Sequence, residues 1–183
     1  VMLVQAQIPE DAFTARFLGT ERAGHGVLID PAGLILTIGY LITEAETVWL
    51  HGADGKACAA HVVGYDQETG FGLVQALERL ELPVMELGSS ADLRIGEKVI
   101  VAASGGRAHA ISANVISKRE FAGYWEYMLD EAIFTTPPHS RWSGAGLMDA
   151  SGALVGVGSL AVNDAVQGPE PVHGNMFVPI DAL

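Results

Sequence analysis

Cations are scarce in this chain: 10 Lys and Arg stand against 22 Asp and Glu, for a formal net charge of −12 at pH 7. No block of Lys or Arg occurs, so a basic patch for nucleic acid or for an anionic membrane surface is excluded. Cysteine is almost missing as well. With Cys58 alone no intrachain disulfide forms, and its apolar neighbours Ala57 and Ala59 predict an inert, buried thiol. Long apolar runs are also lacking, and without a membrane-length stretch no membrane insertion by this chain is expected. The N-terminus begins inside a strand-like segment and carries no visible targeting signal, and the last residues stop where a further element is expected. Both ends therefore predict a domain cut from a longer protein.

What the chain does have is apolar mass. Hydrophobic residues make up 49% and charged ones 17%, a composition that requires a large core and removes disordered and coiled-coil classes. At 183 residues there is room for one sizeable domain or two small barrels packed together. Short apolar stretches with strand period recur from Met2–Ile8 through Gly26–Ile29, Leu34–Thr37, Thr47–Leu50, His61–Gly64 and Phe71–Val74. They continue through Val99–Ala102, Ala110–Ile116, Ala132–Thr135, Ala153–Val157 and Met176–Val178, roughly a dozen strands in all. Turns fall at Asp30-Pro31-Ala32-Gly33, Ala53-Asp54-Gly55-Lys56 and Ala150-Ser151-Gly152.

Three segments break this pattern. Between Glu120 and Glu131, Phe121, Tyr124, Trp125, Met128 and Leu129 share one face of a helix; a loop folded over a groove accounts for the same residues equally well. Asn163 to His173, rich in Pro, Gly and acidic residues, predicts a surface loop. A boundary between two lobes is expected between Glu81 and Leu93, where Leu82-Pro83 and Gly88-Ser89-Ser90 interrupt the strands, and clefts between lobes commonly hold sites.

Three motifs in order carry a resemblance. Gly24-His25-Gly26-Val27-Leu28-Ile29-Asp30 with Gly33-Leu34-Ile35-Leu36-Thr37 is the first, and Asp54-Gly55-Lys56 through Val63-Gly64-Tyr65-Asp66 to Gly72-Leu73-Val74-Gln75 is the second. The third is Trp142-Ser143-Gly144-Ala145-Gly146-Leu147 with Gly152-Ala153-Leu154-Val155-Gly156. Together they resemble the HtrA/Deg family of trypsin-like serine endopeptidases over nearly the whole chain. The resemblance implies an all-β fold of two six-stranded barrels, the N-terminal one over about residues 1–85 and the C-terminal one over about residues 93–183. It also implies work outside the cytoplasm, in periplasm or organelles, often as a homo-oligomer with a following PDZ domain, which this chain does not contain.

The same resemblance places Ser143 at the nucleophile and exposes three departures. The base position, three residues after the Thr of the first motif, is Tyr40. The position of the triad Asp is Gly70, which has no side chain to orient an imidazole. Arg141 stands where the family has the Gly whose N–H helps form the oxyanion hole, and a non-Gly residue resists positive φ there. Removing triad members typically costs about 10⁴ to 10⁶ in rate, so the implied reading is a pseudoprotease, a degenerate homologue that binds polypeptide segments or partner proteins in or near the cleft.

Other readings of the same residues stand beside it. Tyr40 serves as an unconventional base in a working endopeptidase, or else packs over the cleft with its hydroxyl on a backbone group or water; an unperturbed phenol, with a pKa of about 10, favours the second. The six histidines, His25, His51, His61, His109, His139 and His173, contain no ligand pair at helical spacing. They are expected mostly at the surface or on strand edges, the other option being a divalent-metal or ligand site assembled by the fold. No cofactor is called for. His139 lies four residues before Ser143, but Pro137, Pro138 and Trp142 argue for a solvent-facing loop residue rather than a rebuilt dyad. Phe121, Tyr124, Trp125, Tyr127 and Phe134 either line a peptide groove or subunit contact, or pack in the core.

Overall fold

The computed structural model describes residues 1–123 and 127–183. Period-2 burial decides the first element: in Met2–Gln7 (β1), Met2, Val4 and Ala6 are buried while Gln5 and Gln7 face solvent. A four-residue helix, Ala15–Leu18, follows. Then come Glu21–Asp30 (β2), Leu34–Ile38 (β3), Thr47–His51 (β4), Ala57–Tyr65 (β5) and Phe71–Ala76 (β6). Antiparallel pairing in the order β1-β2-β3-β6-β5-β4 closes them into a barrel. Gly33 sits at φ +95° and its N–H donates to the Asp30 carbonyl at 3.0 Å, which makes the tight β2–β3 turn.

Lys98–Ala102 (β7), Ala110–Ala122 (β8), Met128–Thr136 (β9), Gly146–Met148 (β10), Leu154–Val162 (β11) and Gly174–Pro179 (β12) form a second closed barrel, ordered β10-β11-β12-β9-β8-β7. The expected all-β double barrel is the fold observed. Closure removes exposed strand edges, and inward residues fill each interior. One apolar cluster runs across both barrels. It joins Ile35, Leu36 and Leu50 of the first to Phe134, Val157 and Met176 of the second, while Val99, Val101, Leu147 and Phe177 form a smaller cluster within the second. Each such side chain contributes roughly 1.5–3 kcal/mol when fully buried, so the seam between the barrels is part of the core.

The helical reading of Glu120 to Glu131 is corrected. Phe121 pairs with Leu129 and Ala122 with Met128 across the β8–β9 hairpin. Met128 is 64% exposed beside a buried Leu129, the alternation of a strand, so the helical spacing of the aromatics was coincidental. Tyr124 and Trp125 lie outside the described residues. Phe134 and Tyr127 are buried, and Phe121 packs against both with ring centroids 6.3 and 6.2 Å away, so these three aromatics belong to the core. Cys58 is a buried free thiol, and residues 163–173 form a loop.

The candidate active site

The turn carrying Ser143 is held by backbone on every side. Its carbonyl accepts the His25 N–H of β2 at 2.8 Å, and the Gly144 N–H donates to the Gly158 carbonyl of β11 at 2.8 Å. The Gly158 N–H returns to Ala145 O at 2.8 Å, and Ala145 N–H closes the turn on Trp142 O at 2.9 Å. The His25 carbonyl is capped by Thr37 Oγ1 at 2.6 Å. Side chains have no room here: a Cβ on Gly144, which has φ +73°, lies 1.8 Å from the His25 carbonyl, and one on Gly158 lies 2.0 Å from the Trp142 carbonyl. These contacts require glycine at both positions.

Tyr40 stands in a helical turn just after β3, Gly39–Leu41. Buried Arg22 anchors that turn from β2, donating through Nη1 to the carbonyls of Tyr40 (2.7 Å) and Thr43 (3.1 Å) and through Nη2 to Thr14 Oγ1 (2.7 Å). The Glu44 carboxylate accepts Thr14 N–H and Oγ1–H and the Phe13 N–H, and these hydrogen bonds from Thr14 hold it below its ordinary pKa. So oriented, the Tyr40 hydroxyl reaches across the seam to Ser143 Oγ at 2.7 Å and the Ser159 carbonyl at 2.8 Å. A carbonyl only accepts; the single phenolic proton therefore goes to Ser159, and Ser143 donates to Tyr40 Oη. The Tyr127 hydroxyl in turn shares a hydrogen bond with Ser159 Oγ.

Gly70 is beside this turn, its carbonyl accepting the Gly39 N–H at 2.8 Å. It has φ +84°, and a Cβ there falls 2.5 Å from Cδ1 of Tyr127, so an aromatic ring fills the space next to it. Tyr40, Gly70 and Tyr127 line one cavity of about 230 Å³ with Thr43 and Tyr65. Arg141 differs in another way. Its backbone N–H donates to His139 Nδ1 at 2.9 Å, and its φ is not positive, Glu44 being the one non-glycine with positive φ among the described residues.

His139 is not the solvent-facing residue expected. It is 6% exposed, with its N–H on Asn175 Oδ1 at 2.6 Å and its Nε2 donating to the His109 carbonyl at 3.2 Å, which leaves Nδ1 as the acceptor for Arg141. The buried amide of Asn175 captures it, a partner 36 positions away that local sequence does not reveal. It makes no hydrogen bond with Ser143. His25 is likewise buried rather than on a strand edge open to water, and its Nδ1 accepts the Ser104 N–H at 3.3 Å. Burial first, then the nearby Arg141, His139, amino terminus and His109, lower its pKa from 6.5 to about 4. His61, His109 and His173 are exposed and His51 half-buried. Among the described residues no group of three or more His, Cys, Asp or Glu side chains is placed to hold a metal ion.

The geometry thus brings Ser143, Tyr40, Gly70 and Arg141 to one seam between two barrels. A family profile for the trypsin-like peptidase domain matches residues 24–157. The chain belongs to this family, and the relatives it resembles in sequence are HtrA and DegP-like proteases. This trypsin-like domain is 25% identical to serine protease HTRA1 of Xenopus tropicalis over 79% of its length. It is 27% identical to the chloroplastic Protease Do-like 1 of Arabidopsis thaliana over all of it. A probable periplasmic DegP-like serine endoprotease of Hahella chejuensis is 25% identical over 85% of the chain. The chain spans only 32–43% of the length of these relatives. In structure it is similar to the HtrA-type protease AlgW bound to a tripeptide, with a TM-score of 0.74 over 99% of this chain and 56% of that one, at 18% identity.

Three participants in the domain's cleft had not been singled out for it. Ser159 and Ser104 sit in segments with no motif, and His25 lies in the first motif without a site role of its own; only the meeting of β2, β11 and the residues after β7 gives them partners. No helix among the described residues is long and apolar enough to cross a membrane.

Proposed function

We propose that this domain is a catalytically impaired trypsin-like protease homologue that binds polypeptide segments or partner proteins without cleaving them. The observation that carries the reading is the Tyr40 hydroxyl, 2.7 Å from Ser143 Oγ with its own proton directed at the Ser159 carbonyl. A neutral phenol is a feeble proton acceptor, and a base must take the serine proton for attack to proceed. The Arg141 N–H, spent on His139, adds to this by withdrawing one donor from an oxyanion site, a loss worth about 10²–10³ in rate on its own. An extracytoplasmic location belongs to the same proposal on the strength of the periplasmic relative, and homo-oligomeric assembly on the resemblance to the HtrA/Deg family.

Labelling with a fluorophosphonate probe tests it. The expected outcome is no stoichiometric modification between pH 7 and 9; covalent labelling of Ser143 overturns the reading. The contact between Tyr40 and Ser143 also favours a rival, an active HtrA/Deg-type endopeptidase with Tyr40 as base, which predicts labelling that rises with pH and disappears in Tyr40→Phe.

Restoring base and acid is not enough under this reading. The double variant Tyr40→His, Gly70→Asp forces a Cβ against the Tyr127 ring at positive φ, so it loses about 2 kcal/mol of stability and gains no peptidase activity. Urea unfolding and a casein assay check both halves.

A further inference from the structure

Arg141 brings a permanent charge to the seam, and unlike Arg22, which has Glu44 nearby, it has no carboxylate partner among the described residues. Its Nη1 donates to the Ser104 carbonyl at 3.2 Å and its Nη2 to Ser104 Oγ at 3.0 Å. Both partners are neutral. A guanidinium has five N–H donors, and no carboxylate lies within ion-pair distance of this one among the described residues, although acidic residues outnumber basic ones 22 to 10 in the chain. The electrostatics of its surroundings point the same way. The fixed charges that bear on His25 are those of Arg141 and the amino terminus, and no carboxylate is among its influences. An uncompensated positive spot thus sits in an otherwise acidic protein.

The spot has a built recess. Ala23, Gly24, His25, Ser140, Arg141 and Ser143 line a cavity of about 320 Å³, separate from the one beside Tyr40. The backbone bond from Arg141 to His139 Nδ1 fixes the start of the side chain, and the two bonds to Ser104 fix its end, so the guanidinium is pre-oriented before any ligand arrives. A planar fork with spare donors matches the two oxygens of a carboxylate.

We propose that Arg141 and the recess beside Ser143 form a binding site for a carboxylate carried by a polypeptide, supplied by its C-terminus or by an acidic side chain. The site rests on the reading of this domain as a peptide binder, and gives that binder a charge preference. In this chain Arg141 takes the place of an oxyanion donor, and its side chain brings an anion-binding group to within the same cavity as Ser143. Association is weakened by salt, since Arg141 is only half-buried.

Titration of the ¹⁵N-labelled domain separates the site from the wider reading. The probes are propionate, propionamide, N-acetyl-trialanine with a free C-terminus, its C-terminal amide, and N-acetyl-Ala-Glu-Ala-amide, all at matched ionic strength. Propionate is expected to shift the Ser104, Arg141 and Trp142 amides saturably while propionamide does not, and Arg141→Gln is expected to weaken that response about tenfold or more, with Arg141→Lys intermediate. Stronger binding of the free-terminus peptide than of its amide identifies the terminal source; stronger binding of the Glu peptide identifies the side-chain source. Equal responses to propionate and propionamide overturn the site, and need no variant to fold. If peptides bind equally well with and without a carboxylate, the site falls and the peptide-binding reading stands. Propionate bound at Arg141 with no peptide bound leaves the anion site and removes the wider reading.

Discussion

Two turns face each other across the seam, and they are constrained by different things. The Ser143 turn is fixed by backbone: three main-chain bonds tie it to β2 and β11, a fourth closes the turn on itself, and Gly144 and Gly158 admit no Cβ. The Tyr40 turn has one main-chain tie, from Gly39 N–H to the Gly70 carbonyl, and otherwise depends on side chains: Arg22 from below, and the phenol of Tyr40 reaching Ser143 Oγ and the Ser159 carbonyl. A backbone-held turn is part of the joint between the barrels and cannot vary without breaking it. A turn held from outside accepts any side chain that finds partners for its polar atoms and fills the space. Under the proposed reading, this is how a chain keeps its serine turn opposite a tyrosine.

The contrast can be broken hardest at Gly144. Gly144→Ala puts a methyl 1.8 Å from the His25 carbonyl at φ +73°, and its expected cost of about 4 kcal/mol or more leaves little folded protein. Gly152→Ala is the control: a similar φ of +89° but no atom within 4 Å, for a loss of about 1 kcal/mol in urea unfolding.

An intermediate effect is expected from His25, on the backbone-held side. The fold keeps its imidazole neutral down to about pH 4, while the unfolded chain protonates it near pH 6.5. Between those values the unfolded state binds the extra proton, so stability is fully present above pH 6.5 and falls as the pH drops toward 4. The expected loss is about 3 kcal/mol. Comparing wild type with His25→Asn at pH 7 and pH 4 isolates it, since carboxylate titrations are common to both; equal pH slopes count against the neutral, buried imidazole.

The smallest effect should lie on the Tyr40 side. Tyr40→Phe removes the bonds to Ser143 and the Ser159 carbonyl and costs about 1 kcal/mol, with the barrels intact by circular dichroism. A loss as large as that of Gly144→Ala would show that the two turns are equally structural.

Much of the fold was legible because closed sheets write themselves in short, alternating apolar stretches. Asp30 to Gly33 and the strands around it needed nothing else. The hairpin of β8 and β9 was misread because Phe121, Met128 and Leu129 happen to fall at helical spacing, and only pairing across the hairpin distinguishes the two periods. In the site, Tyr40, Gly70, Ser143 and Arg141 were found by position in motifs. His139 was placed wrongly in solvent because its captor, Asn175, is remote in sequence.

By itself the sequence carried a dozen strand-like stretches and three ordered motifs. The resemblance of those motifs to HtrA/Deg proteases implied the double barrel that is observed, and set Ser143, Tyr40, Gly70 and Arg141 at the positions for which the proposed roles are argued. Only the tertiary structure decided that the Tyr40 hydroxyl reaches Ser143, that the ring of Tyr127 fills the space beside Gly70, and that the Arg141 N–H is spent on His139 while its guanidinium keeps no carboxylate. The first two depend on residues far apart in the chain meeting, and the third on remote Asn175 and Ser104 holding His139 and the guanidinium in place; hydrogen bonding and steric exclusion act only at such short range.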